Sequence, residues 1–483
     1  MPWPKLFPAP SVSNEGSAGP RASSLWPWVV GAGLAVAVIQ AWLVARAGTD
    51  IPYLDQWVAE GKWLYPAWQD GTLRLADIFR PYNEHHIVWT QLLNLLLFEL
   101  NGQWDPILQL LAGAALHAVG AAFLTYTLGA AWRSVRMRAG ITAAVILACL
   151  PLAGWHNALW GFQTQAYFAL LLAMPSFFWL GAANRSPGRL AAGLVMGGAA
   201  MLAMGPGELL PLPLLGLAVL RMAEKRKWNA DGWRTLWPAG TLLAMAWVLA
   251  VSVPAPRSLQ AGSPAQFAVA LGSMLAWPHP EEPLAAVVLN LPLGLVLAGR
   301  ILRRREPHAA EDFVLLLGGW AAVTAAAIAW ARGGGAELQA GVPSRYVDFL
   351  ILLPLANTWC ALRLISDTAG RWRMRLRPLG VIWGLFLFVG WLGVSLQMWR
   401  GIVRPRMRDR LAPVRLAVAF QKTGDPAVFL GQPRLYILYP EPEVALTVLH
   451  DPRLQGRLPP SLQPQHPLGP LSRLARMTLG QDQ

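Results

Sequence analysis

The sequence predicts an all-α polytopic membrane protein with about eleven transmembrane helices, interfacial helices in the first outer loop and a small outer C-terminal appendage. Three observations predict it. Charged residues make up only 14% of the 483, against about 25% in ordinary soluble chains, while hydrophobic residues reach 55%. The apolar residues gather in runs of about 15 to 22, separated by short basic clusters, which is the length needed to cross a bilayer as helix. Tryptophan occurs 25 times, often near the ends of those runs, as at Trp26, Trp28, Trp132, Trp155, Trp160 and Trp399, where indole rings favour the membrane interface. A soluble enzyme and a secreted disulfide scaffold are thereby excluded. Cys149 and Cys360 both lie inside apolar runs and read as small buried hydrophobes. The net charge of +14 sits in clusters between runs, so it is a topology signal and no nucleic-acid partner is expected.

Residues 1–24, rich in Pro, Ser and Gly, predict a disordered cytoplasmic tail. The first span follows at about 25–44. Ala45-Arg46-Ala47 is shaped like a signal-peptidase site, but the run is longer than a usual signal core and its flank is barely basic, so the segment is kept as a helix. Further spans are expected at 106–130, 140–153, 165–182, 189–204, 207–221, 235–253, 284–300, 313–331, 347–364 and 379–398. The basic clusters around Arg136, Arg185, Arg221, Arg303 and Arg371 then share one side, the cytoplasm by the positive-inside rule. The opposite connections, 47–105, 154–164, 205–206, 254–283 and 332–346, face outward. The stretch from His85 to Leu100 is apolar enough to enter the membrane, but a crossing there would invert every later loop, so it is placed as an interfacial helix. The run 265–277 is short for a span and is also expected to be re-entrant or interfacial. The transmembrane domain is thus 25–398 and the extracytoplasmic C-terminal region 399–483, although Arg400, Arg404, Arg406, Arg408, Arg410 and Arg415 run against the charge rule there.

Acids are scarce, yet Asp50, Asp55, Glu60, Asp70, Asp77 and Glu84 crowd into the first outer loop among Tyr53, Trp57, Trp63, Tyr65, Trp68, Phe79 and Tyr82. Carboxylates act as general bases and accept hydroxyl protons, and aromatic faces stack on sugar rings, so the loop suits a carbohydrate; a long loop that is simply solvated is the plainer alternative. Asp50 and Asp55 fall just after the first span, at the height of lipid phosphates. Glu84 and His85 are expected in the first turn of the interfacial helix, where its dipole favours a carboxylate. His85 and His86, adjacent on a helix, would point about 100° apart and form no chelating pair, so no zinc site is inferred. His156 and Gln163 belong to an uncharged second outer loop dense in hydrogen-bonding groups, able to line a pocket or to satisfy helix ends. Glu208 follows Gly205-Pro206-Gly207 at the mouth of a span, where an unpaired acid is costly. His117 lies deep in a span and reads as a core histidine. Arg345 and Tyr346 follow a glycine loop at the start of a span, where a guanidinium can grip a phosphate bidentately or serve as an interfacial anchor.

The segment Thr49-Asp50-Ile51-Pro52-Tyr53-Leu54-Asp55-Gln56-Trp57 directly after the first span, the interfacial helices, the span number and the outer appendage resemble the GT-C class of polytopic glycosyltransferases. Asn83-Glu84-His85-His86, Trp160-Gly161-Phe162-Gln163 and Ser344-Arg345-Tyr346 look like segments of bacterial GT-C-like membrane proteins. The resemblance implies an enzyme of the plasma membrane, the bacterial inner membrane. It would move a sugar from a polyprenyl-phosphate donor to a glycan, lipid or protein acceptor at the periplasmic or outer face. It implies Asp55 as the general base with Asp50 as the second choice, and Arg345 as the donor-phosphate ligand. Glu84, His85, His86, His156, Gln163, Glu208 and Tyr346 would shape the substrate site. Many members of the class carry adjacent or once-separated acids here, whereas these two are five apart. With no nucleotide released, neither a metal nor another cofactor is required. The rival from another class is a transporter or flippase for a lipid-linked saccharide.

Overall fold

In a computed structural model of the chain, residues 24–182, 185–225, 230–253, 257–302, 308, 310–368, 370–433 and 436–481 are described. The expected N-terminal tail, apart from Ser24, and the basic residue Arg303 lie outside that set. Every run assigned to a span folds as helix: Trp26–Ala47, Pro106–Gly129, Val135–Ala148, Thr164–Leu180, Pro187–Met201, Pro211–Lys225, Ala230–Val251, Ala285–Ile301, Glu311–Arg332, Leu352–Asp367 and Gly370–Met398. Among the described residues no β-strand forms; Tyr82 and His85 make an isolated bridge.

Among the described residues, seven stretches are long and apolar enough to cross a membrane: Trp26–Ala47, Pro106–Gly129, Gly205–Glu224, Gly232–Val251, Glu311–Arg332, Ser344–Asp367 and Arg373–Arg408. The helices Val135–Ala148, Thr164–Leu180, Pro187–Met201 and Ala285–Ile301 have 14, 17, 15 and 17 residues. At 1.5 Å per residue they reach only about 21 to 26 Å, short of a hydrocarbon core of about 30 Å. The architecture is that of an all-α membrane protein. Val381, Ile382, Leu385 and Val389 point outward from the last long helix, an apolar surface that lipid tolerates and water does not. That helix also moves one expected boundary. It runs unbroken for 36 residues to Arg408, through a π-helical stretch at Trp399–Val403, so the division expected at 398/399 falls inside it.

Local chemistry explains several ends. Asp105 caps the helix Pro106–Gly129, accepting a hydrogen bond from the Ile107 N–H at 2.9 Å, with Pro106 in the first position where its missing donor costs nothing. The interfacial helix begins at Val88, three residues later than expected, and ends at Asn101, before Gly102 in the left-handed region at φ 69°. The delay has a cause: Asn83 takes φ 51°, Tyr82 and His85 pair across the resulting turn, and the Val88 N–H donates to Leu202 O at 2.9 Å. Glu84 and His85 therefore precede the helix instead of opening it. Pro264–Leu275 forms the short helix expected at 265–277.

Two large cores result. One fills the helical bundle, with Trp320, Trp359, Phe177, Phe349 and Tyr167 buried at its centre. The other joins the first long loop to the C-terminal region, packing Trp57, Tyr65, Phe98 and Trp104 against Phe420, Phe429, Val448 and Leu458. The C-terminal region thus rests on the same end of the bundle as the 47–105 loop, and the arginine-rich stretch goes with it: Arg406 Nε donates to Ala47 O, at the end of the first helix, at 3.0 Å. A cation there favours the carbonyl end of a helix dipole.

Candidate functional site

Tyr53, Leu54 and Asp55 form a tight turn after the first helix. The Leu54 N–H donates to Leu438 O of the C-terminal region at 2.9 Å, and the Tyr53 N–H donates to Gln56 Oε1 at 3.1 Å. Held from both sides, Leu54 takes φ 49°. Leu54 and Asn83 are the only non-glycine residues with positive φ among the described residues, and each adjoins an acid, Asp55 or Glu84. Such strain costs on the order of 1 to 3 kcal/mol per residue and persists where surrounding contacts over-determine the backbone, typically at functional sites.

Both strained turns line one cavity of about 1060 Å³. Its residues come from the connections after the first helix, around Trp155–Gln165 and at 332–346, together with Met204, Ile402 and the strip Ile437–Pro440. Seven of the ten expected site residues meet there: Asp55, Glu84, His85, His156, Gln163, Arg345 and Tyr346. A second, mostly apolar hollow of about 260 Å³ adjoins it and shares Glu84, His85, Met204, Arg332 and Tyr346. Pro206, Leu209, Val253, Ala327 and Ile328 furnish its greasy wall.

The other three expected residues lie elsewhere. Asp50 is buried away from the cavity, where its carboxylate accepts hydrogen bonds from the Ser461 N–H and hydroxyl, each at 2.8 Å, and lies 3.5 Å from Arg476. Together with Asp105, which accepts from Ser472 Oγ at 2.7 Å and from Arg476 at 3.2 Å, it docks the terminal helix Pro470–Leu479. Its place beside the first span serves tertiary anchoring, because the C-terminal region arrives there with the Ser461 donors and the Arg476 cation. His86 is buried beside Glu208, with Nδ1 3.9 Å from the carboxylate, and does not line the cavity. Glu208 lines the apolar hollow instead.

Within the cavity the Tyr82 hydroxyl donates to Asp55 Oδ1 at 3.1 Å, and no protein group bonds Oδ2 among the described residues. Burial raises the Asp55 pKa above its ordinary value, against the Tyr82 hydrogen bond and the charge of Arg345, which both lower it. Arg345 forks onto Glu337 through two hydrogen bonds of 2.5 and 2.6 Å, with its guanidinium 4.8 Å from the Tyr346 ring centre. The backbone that carries it is tied to the second connection. Ser344 Oγ accepts from the His156 N–H at 3.0 Å, and Arg345 O accepts from Asn157 Nδ2 at 3.1 Å. Arg332 pairs with Glu84 at 2.5 Å, at the junction of the two hollows. Burial, aided by the cation of Arg332, pushes His85 down to about 4; burial, aided by Arg345 and Arg406, pushes His156 down to about 3. Both imidazoles are neutral at pH 7. Tyr53, Trp160, Phe162 and Tyr82 stand in edge and stacked contacts 5.4 to 5.8 Å apart along one wall.

Arg332, Glu337, Ile437 and Tyr439 also line the cavity, and sequence reasoning did not single them out. Arg332 and Glu337 flank the same glycine loop as Arg345, which is a usable signal. Nothing local marks the Ile437–Pro440 strip. Among the described residues no three His, Cys, Asp or Glu side chains gather as a metal set. No protein-family model matches the chain, and no curated protein matches it.

Proposed function

We propose that the protein is a glycosyltransferase of the GT-C kind, transferring a sugar from a polyprenyl-phosphate donor to an acceptor hydroxyl. The observation that carries this reading is that Asp55 and Arg345 line one cavity, next to an apolar hollow. The donor's first isoprene units enter the apolar hollow, its phosphate lies at the arginine-bearing mouth, and its sugar stacks on the aromatic wall. The acceptor oxygen attacks the anomeric carbon while Asp55 Oδ2 takes the hydroxyl proton; the carbon–oxygen bond to phosphate breaks, and Arg345 neutralises the departing phosphate. A carboxylate whose pKa burial has raised is a better base near neutral pH than an exposed one. For Arg345 to engage the phosphate, Glu337, which is 54% exposed, turns to solvent. In this reading all eleven helices that carry the predicted spans cross the plasma membrane, the shorter ones by local thinning, and the cavity opens on the outer face.

The test is transfer from a radiolabelled polyprenyl-phosphate sugar by the purified protein in lipid nanodiscs. Asp55→Asn is expected to lower turnover on the order of 10³-fold. Transfer surviving that change rules out the base, whereas saccharide movement across sealed vesicles without transfer supports a transporter.

A further inference from the structure

Glu60 is 1% exposed and stands five residues after the proposed base, in an eight-residue π-helical stretch, Trp57–Leu64. The wide π form is uncommon and tends to be kept at functional sites. Among the described residues no cation pairs with this carboxylate. Its Oε2 accepts three hydrogen bonds instead, from Gln109 Nε2 at 2.6 Å, Trp104 Nε1 at 3.0 Å and the Tyr65 hydroxyl at 3.2 Å. The line continues. Gln109 Oε1 accepts from Gln56 Nε2 at 2.5 Å, and Gln56 Oε1 accepts from the Tyr53 N–H at 3.1 Å. A buried acid thus reaches, through two amides, the strained turn that presents Asp55. The same two amides meet the facing wall: Gly161, which opens the turn carrying Phe162 and Gln163, lies so close that a Cβ there would collide with the Gln109 side chain and crowd that of Gln56. Glu60, Gln109 and Gln56 do not line the cavity.

We propose that the Glu60–Gln109–Gln56 relay is a positioning device that sets the Tyr53–Asp55 turn and the Trp160–Gln163 turn against each other, so that base and aromatic wall hold their spacing. The inference deepens the transferase reading and rests on it for its kinetic consequence. Burying a carboxylate with no cation is costly, and an apolar packing of the same shape would be more stable, so retention of the acid fits a role in geometry. Gln109 supplies the fixed point. It lies in the first turn of a long helix whose start is locked by Asp105 and Pro106.

Two measurements test this. In the nanodisc transfer assay, Gln109→Met severs the link between Glu60 and Gln56 while keeping side-chain length. The expected result is a fall in kcat of at least about tenfold with donor KM within about twofold, since a misplaced base by about 1 Å costs turnover more than binding. Glu60→Gln alone keeps every hydrogen bond of the relay, its amide oxygen accepting from Gln109, Trp104 and Tyr65 as Oε2 does now, and is expected to hold kcat within about threefold of wild type. Turnover unchanged in Gln109→Met, or a loss in Glu60→Gln as large as that in Gln109→Met, overturns the proposal. The second measurement needs no activity: 19F spectra of protein carrying 5-fluorotryptophan, with the Trp160 resonance assigned through Trp160→Phe. A Trp160 shift in Gln109→Met that is absent in Glu60→Gln supports the relay, and a resonance unmoved in Gln109→Met overturns it. If the wild-type chain transfers no sugar, the transferase reading fails, and the spectra still decide the relay.

Discussion

The Tyr82 hydroxyl reaches 3.1 Å to Asp55 Oδ1 and so joins two segments 27 residues apart across the cavity. This bond favours the ionised carboxylate, against the burial that opposes it. Removing it by Tyr82→Phe is expected to raise the Asp55 pKa further. The acidic limb of the pH–turnover profile should then move to higher pH, with turnover at high pH nearly kept. A limb that stays in place would separate Tyr82 from the base.

Arg345→Ala should lower kcat/KM for the lipid-linked donor on the order of 100-fold, the scale of losing one charged stabiliser of a developing anion. Arg345→Lys should recover little, because an ammonium cannot reproduce the fork that now grips Glu337 through two nitrogens. Equal activity in all three proteins would make Arg345 an anchor only.

Asp50→Asn should behave unlike Asp55→Asn. It removes a buried charge that Ser461 and Arg476 hold, so the expected loss is in docking of the C-terminal helix, on the order of 3 kcal/mol. Limited proteolysis near residue 470 should quicken while turnover per folded molecule stays within about threefold. A turnover collapse with the tail still protected would return Asp50 to the catalytic role.

Burial raises the Glu60 carboxyl from 4.5 to about 7, against the hydrogen bonds from Gln109, Tyr65 and Trp104. The folded chain therefore keeps this proton when the unfolded chain has lost it. The resulting stabilisation is complete below about pH 4.5 and fades as pH rises through about 7, a change on the order of 3 kcal/mol. Unfolding midpoints measured across that range should fall less steeply in Glu60→Gln than in wild type, and parallel slopes would refute the assignment.

Reporter fusions at Arg136 and after Arg415 should fall on opposite sides of the membrane. The C-terminal region is packed on the loop that follows Ala47, one helix away from the connection at 130–134 that precedes Arg136. The same side for both would break the span order.

The helices were legible because their signal is local. Leu25 to Val44 or Phe313 to Ala331 must satisfy their own backbone groups in lipid, and only a helix of apolar residues does so within one segment. Their ends were less so. The interfacial helix starts at Val88 because Leu202 O and the left-handed Asn83 intervene, and neither is visible in the run itself. Polar residues on the outward-assigned connections were recognisable as a group, since acids are scarce in this chain and stand out beside apolar spans, while a solvated loop or an interfacial anchor remained the plainer explanation for each.

By itself, the amino-acid order determined which segments become helices, that they form an apolar body, and that acids, aromatics and one arginine gather on connections between them. Only the tertiary structure decided that Asp55 faces the cavity while Asp50 binds Ser461 and Arg476, and that Ile437–Pro440 closes the wall. The reason is physical. Helix formation is fixed by neighbours within a turn, whereas the fate of a buried charge is fixed by whichever partner the fold delivers to it, here from more than 400 residues away.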